Sequence, residues 1–146
     1  MICWAISSLF LMGLICWYNR DMMKRTQETQ DQYDQAKQNG KSIVEIGADG
    51  ETFFNLARAQ SLREYTHWVI ITNDFPYDFV FDTHDLLVPR RPFNYMREAN
   101  QQEREEYYMI KKELDTQGKY QSIVENFTES RSAPGHFHAH LVVWKK

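Results

Sequence analysis

The sequence predicts an α+β fold in which an antiparallel β-sheet carries a long helix packed on one face, preceded by one transmembrane helix. Three observations point there. Residues 2–18 hold no charge. Beyond Gly40, short β-prone runs alternate with turn residues, and one long stretch, residues 100–118, has helical spacing. Strands joined by short connections pair antiparallel, and the helix then covers one face of the sheet.

Residues 1–19 are the expected anchor. The run "ICWAISSLFLMGLICWY" just meets the roughly 17–25 apolar residues that a bilayer-crossing helix needs. Trp4, Trp17 and Tyr18 stand near its ends, where aromatic rings favour the interface. A cleaved signal peptide is disfavoured, because no Lys or Arg precedes the run and no small-residue cleavage pattern follows it. Bulky Leu14 and Ile15 argue against a lipoprotein cysteine at Cys16. Arg20, Lys24 and Arg25 all follow the segment, which favours a single-pass protein whose C-terminal domain faces the cytoplasm. Cys3 and Cys16 both lie in the anchor, so the remainder has no disulfide to form. The tripeptide Asn126-Phe127-Thr128 is a glycosylation acceptor only in a secretory lumen and is read as coincidence.

Residues 20–40 are Gln-rich and strongly polar, ending at "QNG". Good helix formers without an apolar stripe predict a solvent-exposed helical stalk or spacer. Residues 41–146 are the expected globular domain. "SIVEIG" reads as a strand and "DGE" as a turn. "ETFFNLARAQSLREY" is expected as a short helix with Phe54, Leu56 and Ala57 inward. "HWVIITN" and "HDLLVPR" read as strands around the break "NDFPYDF". In "NQQEREEYYMIKKELDTQG", Tyr108, Ile110 and Leu114 give the apolar spacing and Gly118 the stop. "KYQSIVENF" and "GHFHAHLVVW" complete the strands, and no internal repeat is visible. The net charge of −3 argues against a nucleic acid polymer as partner, while a single nucleotide needs only a few placed donors.

Three of the five histidines, His136, His138 and His140, alternate with Phe137 and Ala139. On a strand they line one face at about 6.6 Å intervals, with Phe137, Ala139 and Leu141 turned into the core. Three chemistries fit. A solvated polar face is the plainest, although Thr, Lys or Gln would solvate a strand better. A metal site suits imidazole, but three rings on one flat strand converge poorly. Nucleophilic catalysis suits an imidazole whose pKa lies near neutrality, with flanking imidazoles to orient it and hold phosphate oxygens.

"HFHAHLVV" resembles the His-x-His-x-His motif of the histidine-triad (HIT) superfamily. "HDLLVPRRPF" is similar to that family's upstream histidine strand, and "HWVIITNDFPYDF" to its nucleoside-pocket region. The helix "EREEYYMIKKEL" and the "VENF" strand also match in order, so the resemblance covers about residues 41–144. It implies a nucleotidyl hydrolase or transferase acting on small nucleotide conjugates. In it His138 is the nucleophile that forms a covalent nucleotidyl-histidine, and His136 and His140 hold phosphate oxygens. His84 is implied near the phosphate and Asn126 at ribose or phosphate. His140 at the third motif position favours the hydrolase-like branches, in which homodimers are common. The serine or glutamine that many hydrolases place shortly before the triad has no clear counterpart here: Ser132 lies four residues before His136, and Ala133 takes the next position. The chain runs only to Lys146 beyond the triad, so a C-terminal extension found in some branches is not expected. No metal and no cofactor is implied.

Arg90 and Arg131 are further phosphate candidates; for Arg90 and its neighbour Arg91 a charged strand end is the plainer explanation. His67 reads as a strand-edge residue and Trp68 as a core aromatic rather than a base-stacking platform. The rival function is a non-catalytic, membrane-anchored nucleotide-binding adaptor, with a zinc-binding domain as a third alternative.

Overall fold

The computed structural model describes residues 24–146; residues 2–18, and the anchor expected there, lie outside the described residues. Among the described residues, no helix is long and apolar enough to cross a membrane. The described residues form two α-helices and seven strands in the order α1 (Gln27–Gln38), β1 (Val44–Ile46), β2 (Thr52–Phe54), β3 (Ser61–Glu64), β4 (Trp68–Thr72), β5 (Phe81–Pro89), α2 (Gln101–Gln117), β6 (Ser122–Glu125) and β7 (Ala139–Trp144). Five strands form one antiparallel sheet in the order β3-β4-β5-β7-β6, and β1 with β2 forms a separate hairpin.

Both faces of this sheet are buried, which explains the unbroken apolar run in β4. Trp68 and Ile70 join Leu87, Phe137, Ala139 and Leu141 under helix α2. Val69 and Ile71 face the other way, with Leu86, Val88 and Phe54. The histidines sit on that second face, so successive residues of one segment serve two cores.

Helix α2 begins with a capping box: Asn100 accepts from Glu103 N–H, and the Glu103 carboxylate reaches back to Asn100 N–H. Arg91 grips both oxygens of the same carboxylate at 2.9 and 2.7 Å. Gly118 ends the helix in the left-handed conformation at φ 65°. The inward residues are Tyr107, Ile110 and Leu114. Tyr108, expected among them, is exposed, because only Tyr107 keeps the three-and-four spacing with Ile110 and Leu114.

The helix expected in "ETFFNLARAQSLREY" is instead strand β2, a turn and strand β3. Gly50, at φ 82°, lets the chain reverse, so that Val44 pairs with Phe54 and Ile46 with Thr52. Glu45 then holds the following turn by accepting from Asn55 Nδ2 at 2.9 Å and Arg58 Nη1 at 2.8 Å. Cross-strand pairing and the burial of Phe54 outweigh a weak local helix preference.

Helix α1 buries no residue, as its polarity requires. Its first turn is nevertheless docked. Thr26 N–H donates to Asp78 Oδ1 at 2.7 Å, and the Thr26 and Thr29 hydroxyls reach Asp78 Oδ2 at 2.7 and 2.6 Å. Tyr33 packs edge-on against Phe75, with ring centres 5.3 Å apart.

Gly135 is where the hairpin meets the segment entering β7. A Cβ there would lie 2.5 Å from Thr52 O and 2.9 Å from Thr52 N. Gly135→Ala is expected to push the hairpin away and to destabilise the fold by about 1–3 kcal/mol, read as a lower midpoint of chemical denaturation. An unchanged midpoint would mean that the hairpin does not pack as described.

Candidate active site

The triad is not confined to one strand. β7 begins at Ala139, so only His140 is a ladder residue, paired with Leu86 on one side and Val124 on the other. His136 and His138 lie in the extended segment before it. Phe137 N–H donates to Phe93 O at 2.6 Å and holds that segment in place. The alternation survives. Phe137 enters the helix-side core, while His136 and His138 both touch Phe54, with ring centres 5.6 and 5.0 Å away.

The hydrogen bonds decide which nitrogen of each ring carries the proton. A backbone N–H can only donate, so Tyr77 N–H at 2.9 Å makes His84 Nδ1 an acceptor. A neutral His84 then carries its proton on Nε2 and gives it to His140 Nδ1, 2.7 Å away. His140 in turn carries its proton on Nε2, which faces the Asn126 side-chain amide at 2.9 Å. The amide nitrogen stands at that distance, so a proton on His140 Nε2 requires the Asn126 amide to be turned over, with its oxygen accepting. The run Tyr77–His84–His140–Asn126 is thus one directed chain.

His136 is spent on the backbone. Its Nδ1 accepts from Phe54 N–H at 3.0 Å and its Nε2–H donates to Pro89 O at 2.7 Å. It ties the hairpin to the end of β5, with both ring nitrogens taken by backbone groups. His138 differs. Its Nδ1–H donates to His136 O at 3.0 Å, which leaves the proton off Nε2. That nitrogen holds the lone pair of the cluster suited to attack.

Burial keeps these rings neutral. His84, His136 and His138 are each pushed down from 6.5 to about 4. His140 goes further, to about 2, through burial and the neighbouring His138 and His84. Among the described residues, no three His, Cys, Asp or Glu side chains converge as a metal site would require.

Asn126 also ties in Arg131, whose Nε donates to its carbonyl at 2.9 Å and whose Nη1 donates to Asn94 O at 2.5 Å. Ser132 lines a narrow cavity together with His140, Phe54, Asn73, Asp74 and Arg25. That cavity has about 30 Å³ of free space, room for roughly one or two waters. Burial raises the Asp74 carboxyl there. An open cleft of about 440 Å³ adjoins it, sharing Arg25, Tyr33, Tyr77 and Ser132.

The structure therefore brings His84, His138, His140, Asn126, Arg131 and Ser132 together. It does not bring Arg90, which pairs with Glu64 at 3.1 Å and Tyr65 O at 3.0 Å at the far end of β5. Arg91 belongs to the helix cap, and Trp68 is fully buried, with its Nε1–H on Glu103 O at 2.8 Å. The His67 N–H is held by Glu106 at 2.5 Å. Sequence reasoning marked Asn73, Asp74 and Tyr77 only as part of the stretch similar to a nucleoside pocket, and did not select Phe54 or Arg25 for the site. The polar pair Asn73-Asp74 closing an apolar strand was an available signal; Arg25 offered only its charge.

No protein-family model matches the chain, and no curated protein does. Among solved structures, the chain is similar to one titled as a HIT family hydrolase from Legionella pneumophila Philadelphia 1. The two are 20% identical with a TM-score of 0.46, and the match covers 60% of this chain and 83% of that one.

Two measurements check the site. Below pH 6.5 the unfolded chain binds protons that the neutral buried rings refuse until about pH 4. Stability is therefore fully present above about pH 6.5 and is lost as pH falls toward 4; thermal melts across that window should fall steeply, and a flat profile would contradict neutral burial. His136→Ala strands the Phe54 N–H and the Pro89 carbonyl and should cost about 2–4 kcal/mol in equilibrium denaturation.

Proposed function

We propose that this chain is a nucleotidyl hydrolase or transferase of histidine-triad type, acting on small nucleotide conjugates. The observation that carries the reading is the His138 hydrogen bond, Nδ1–H to His136 O at 3.0 Å, which presents Nε2 as an unprotonated nucleophile. Attack on an α-phosphorus forms an N–P bond and breaks the bond to the leaving group, which departs with the electron pair. Water or an acceptor hydroxyl then attacks the same phosphorus and returns the electron pair to Nε2. Dividing one displacement into two is the use of such a nucleophile. The residues around it act by position and charge: Asn126 through His140, Arg131 by its fixed guanidinium, and Ser132 at the cavity wall.

One observation favours a second reading, a nucleotide-binding domain without turnover. His138 is only 1% exposed, and the cavity against His140 is narrow. Catalysis, by the first reading, requires Phe54 or the docked first turn of α1 to yield. The proposal also keeps residues 2–18 as an anchor with the domain on the cytoplasmic side, since Arg20, Lys24 and Arg25 follow the segment.

The test is intact-mass spectrometry of the full chain after brief incubation with adenosine and guanosine conjugates, quenched under conditions that preserve acid-labile phosphohistidine. A nucleotidyl adduct or turnover is expected in the wild type and not in a His138→Ala variant whose melt shows that it is folded. Nucleotide binding with neither would favour the non-catalytic reading, and equal turnover in both would remove His138 from the chemistry.

A further inference from the structure

The open cleft beside the histidines carries a charge opposite to that of the chain. The protein as a whole is at −3, yet Lys24, Arg25 and Arg131 all line this cleft, with Glu129 as its carboxylate. Arg25 is fixed there in detail. Its guanidinium lies over the Tyr33 and Tyr77 rings at 4.5 and 4.7 Å, its Nε donates to Phe75 O at 3.0 Å, and its Nη1 donates to Gln30 Oε1 at 3.3 Å. Arg131 is held by two carbonyls. Neutral oxygens orient a guanidinium and leave its charge in place. The cleft is continuous with the cavity against His140 through Arg25, Tyr33, Tyr77 and Ser132.

Among the imidazoles of the site, no ring N–H is left uncommitted. The ring N–H groups of His84 and His136 are committed to His140 and to Pro89 O, that of His138 to His136 O, and that of His140 to Asn126. An amine leaving group must gain a proton as it departs. A phosphate does not: it leaves with the bridging oxygen's electron pair as a stable anion, and fixed cations take up that charge.

We propose that Lys24, Arg25 and Arg131 form a leaving-group subsite selecting nucleotide conjugates whose departing moiety is itself a phosphate or polyphosphate, so that the segment before and along α1 is a specificity element of the enzyme. This rests on the nucleotidyl-transfer reading above. In the step assigned, His138 Nε2 bonds to the α-phosphorus, the phosphoanhydride P–O bond breaks, and the departing phosphate carries both electrons into the cleft without a proton. Water then cleaves the N–P bond, leaving one proton to solvent.

Two arms test it on the full chain. In the first, kcat/KM is compared for a dinucleoside tetraphosphate and for the matching nucleoside 5′-phosphoramidate, in wild type, Lys24→Gln, Arg25→Gln and Arg25→Lys, each checked by thermal melt. The wild type should prefer the tetraphosphate, and Lys24→Gln and Arg25→Gln should each lower that preference about ten-fold, the size of one lost charge-assisted bond, with Arg25→Lys partly restoring it. An equal or reversed preference in the wild type, or one untouched by the glutamine variants, overturns the subsite. The second arm needs no turnover. Titrated inorganic tripolyphosphate should bind the wild type and bind Lys24→Gln/Arg25→Gln about ten-fold or more weakly. Absent or unchanged binding overturns the subsite. Binding that weakens as expected without any adduct or turnover at His138 overturns the nucleotidyl-transfer reading and, with it, the assignment of the cleft to a leaving group.

Discussion

The hydrogen bond from Tyr77 N–H to His84 Nδ1 fixes more of this protein than its own strength suggests. Because the donor is backbone and cannot be reversed, it sets the protonation of His84, then of His140, then the orientation of the Asn126 amide. Several imidazoles can share one apolar face only when none is charged and every proton has an address. Among the described residues no buried side-chain nitrogen or oxygen lacks a partner. The array is therefore a structural element as much as a chemical one. His138 stands out within it because its Nδ1 holds the proton on a carbonyl, which leaves Nε2 without one.

Phe54 is the counterweight. The hairpin delivers this ring between His136 and His138, and His136 repays the contact by accepting the Phe54 N–H. The small second core of Ile43, Val69, Ile71, Leu86, Val88 and Ala133 gathers around the same ring. The larger core under α2 carries the bulk of the aromatic packing, through Trp68, Phe93, Tyr107 and Phe137. One side of the sheet thus supplies mass and the other supplies chemistry, and the two are joined through alternate residues of a single segment.

How much of this could be read in the sequence depended on the range of the interactions involved. β4, β5 and α2 were legible because their signals are local: an apolar run, a proline stop, an Asn–Glu cap and a terminal glycine. The alternation of His136, His138 and His140 with core residues was legible for the same reason. β2 was misread as helix because its pairing with β1 is set by a turn and by burial under the histidines, which local spacing does not express. Tyr108 was preferred to Tyr107 by one residue, an error that helical phase alone corrects. Arg90 looked like a phosphate ligand until the sheet placed it at the opposite end of β5 from His84. The division of labour among the histidines was not legible, because identical side chains are told apart only by what each nitrogen meets.

The docking of Thr26 and Thr29 on Asp78 bears on how the chain could be dissected. By composition the polar stretch ending at Gly40 is a tether, exchangeable for any flexible sequence of equal reach. In the folded chain, residues 24–33 instead supply part of the wall around the histidines, through Arg25 and Tyr33. A Gly-Ser replacement would preserve the distance spanned and remove that wall, uncovering Phe75 and Tyr77 beside His84. The polar stretch and the folded domain are, in that sense, one module.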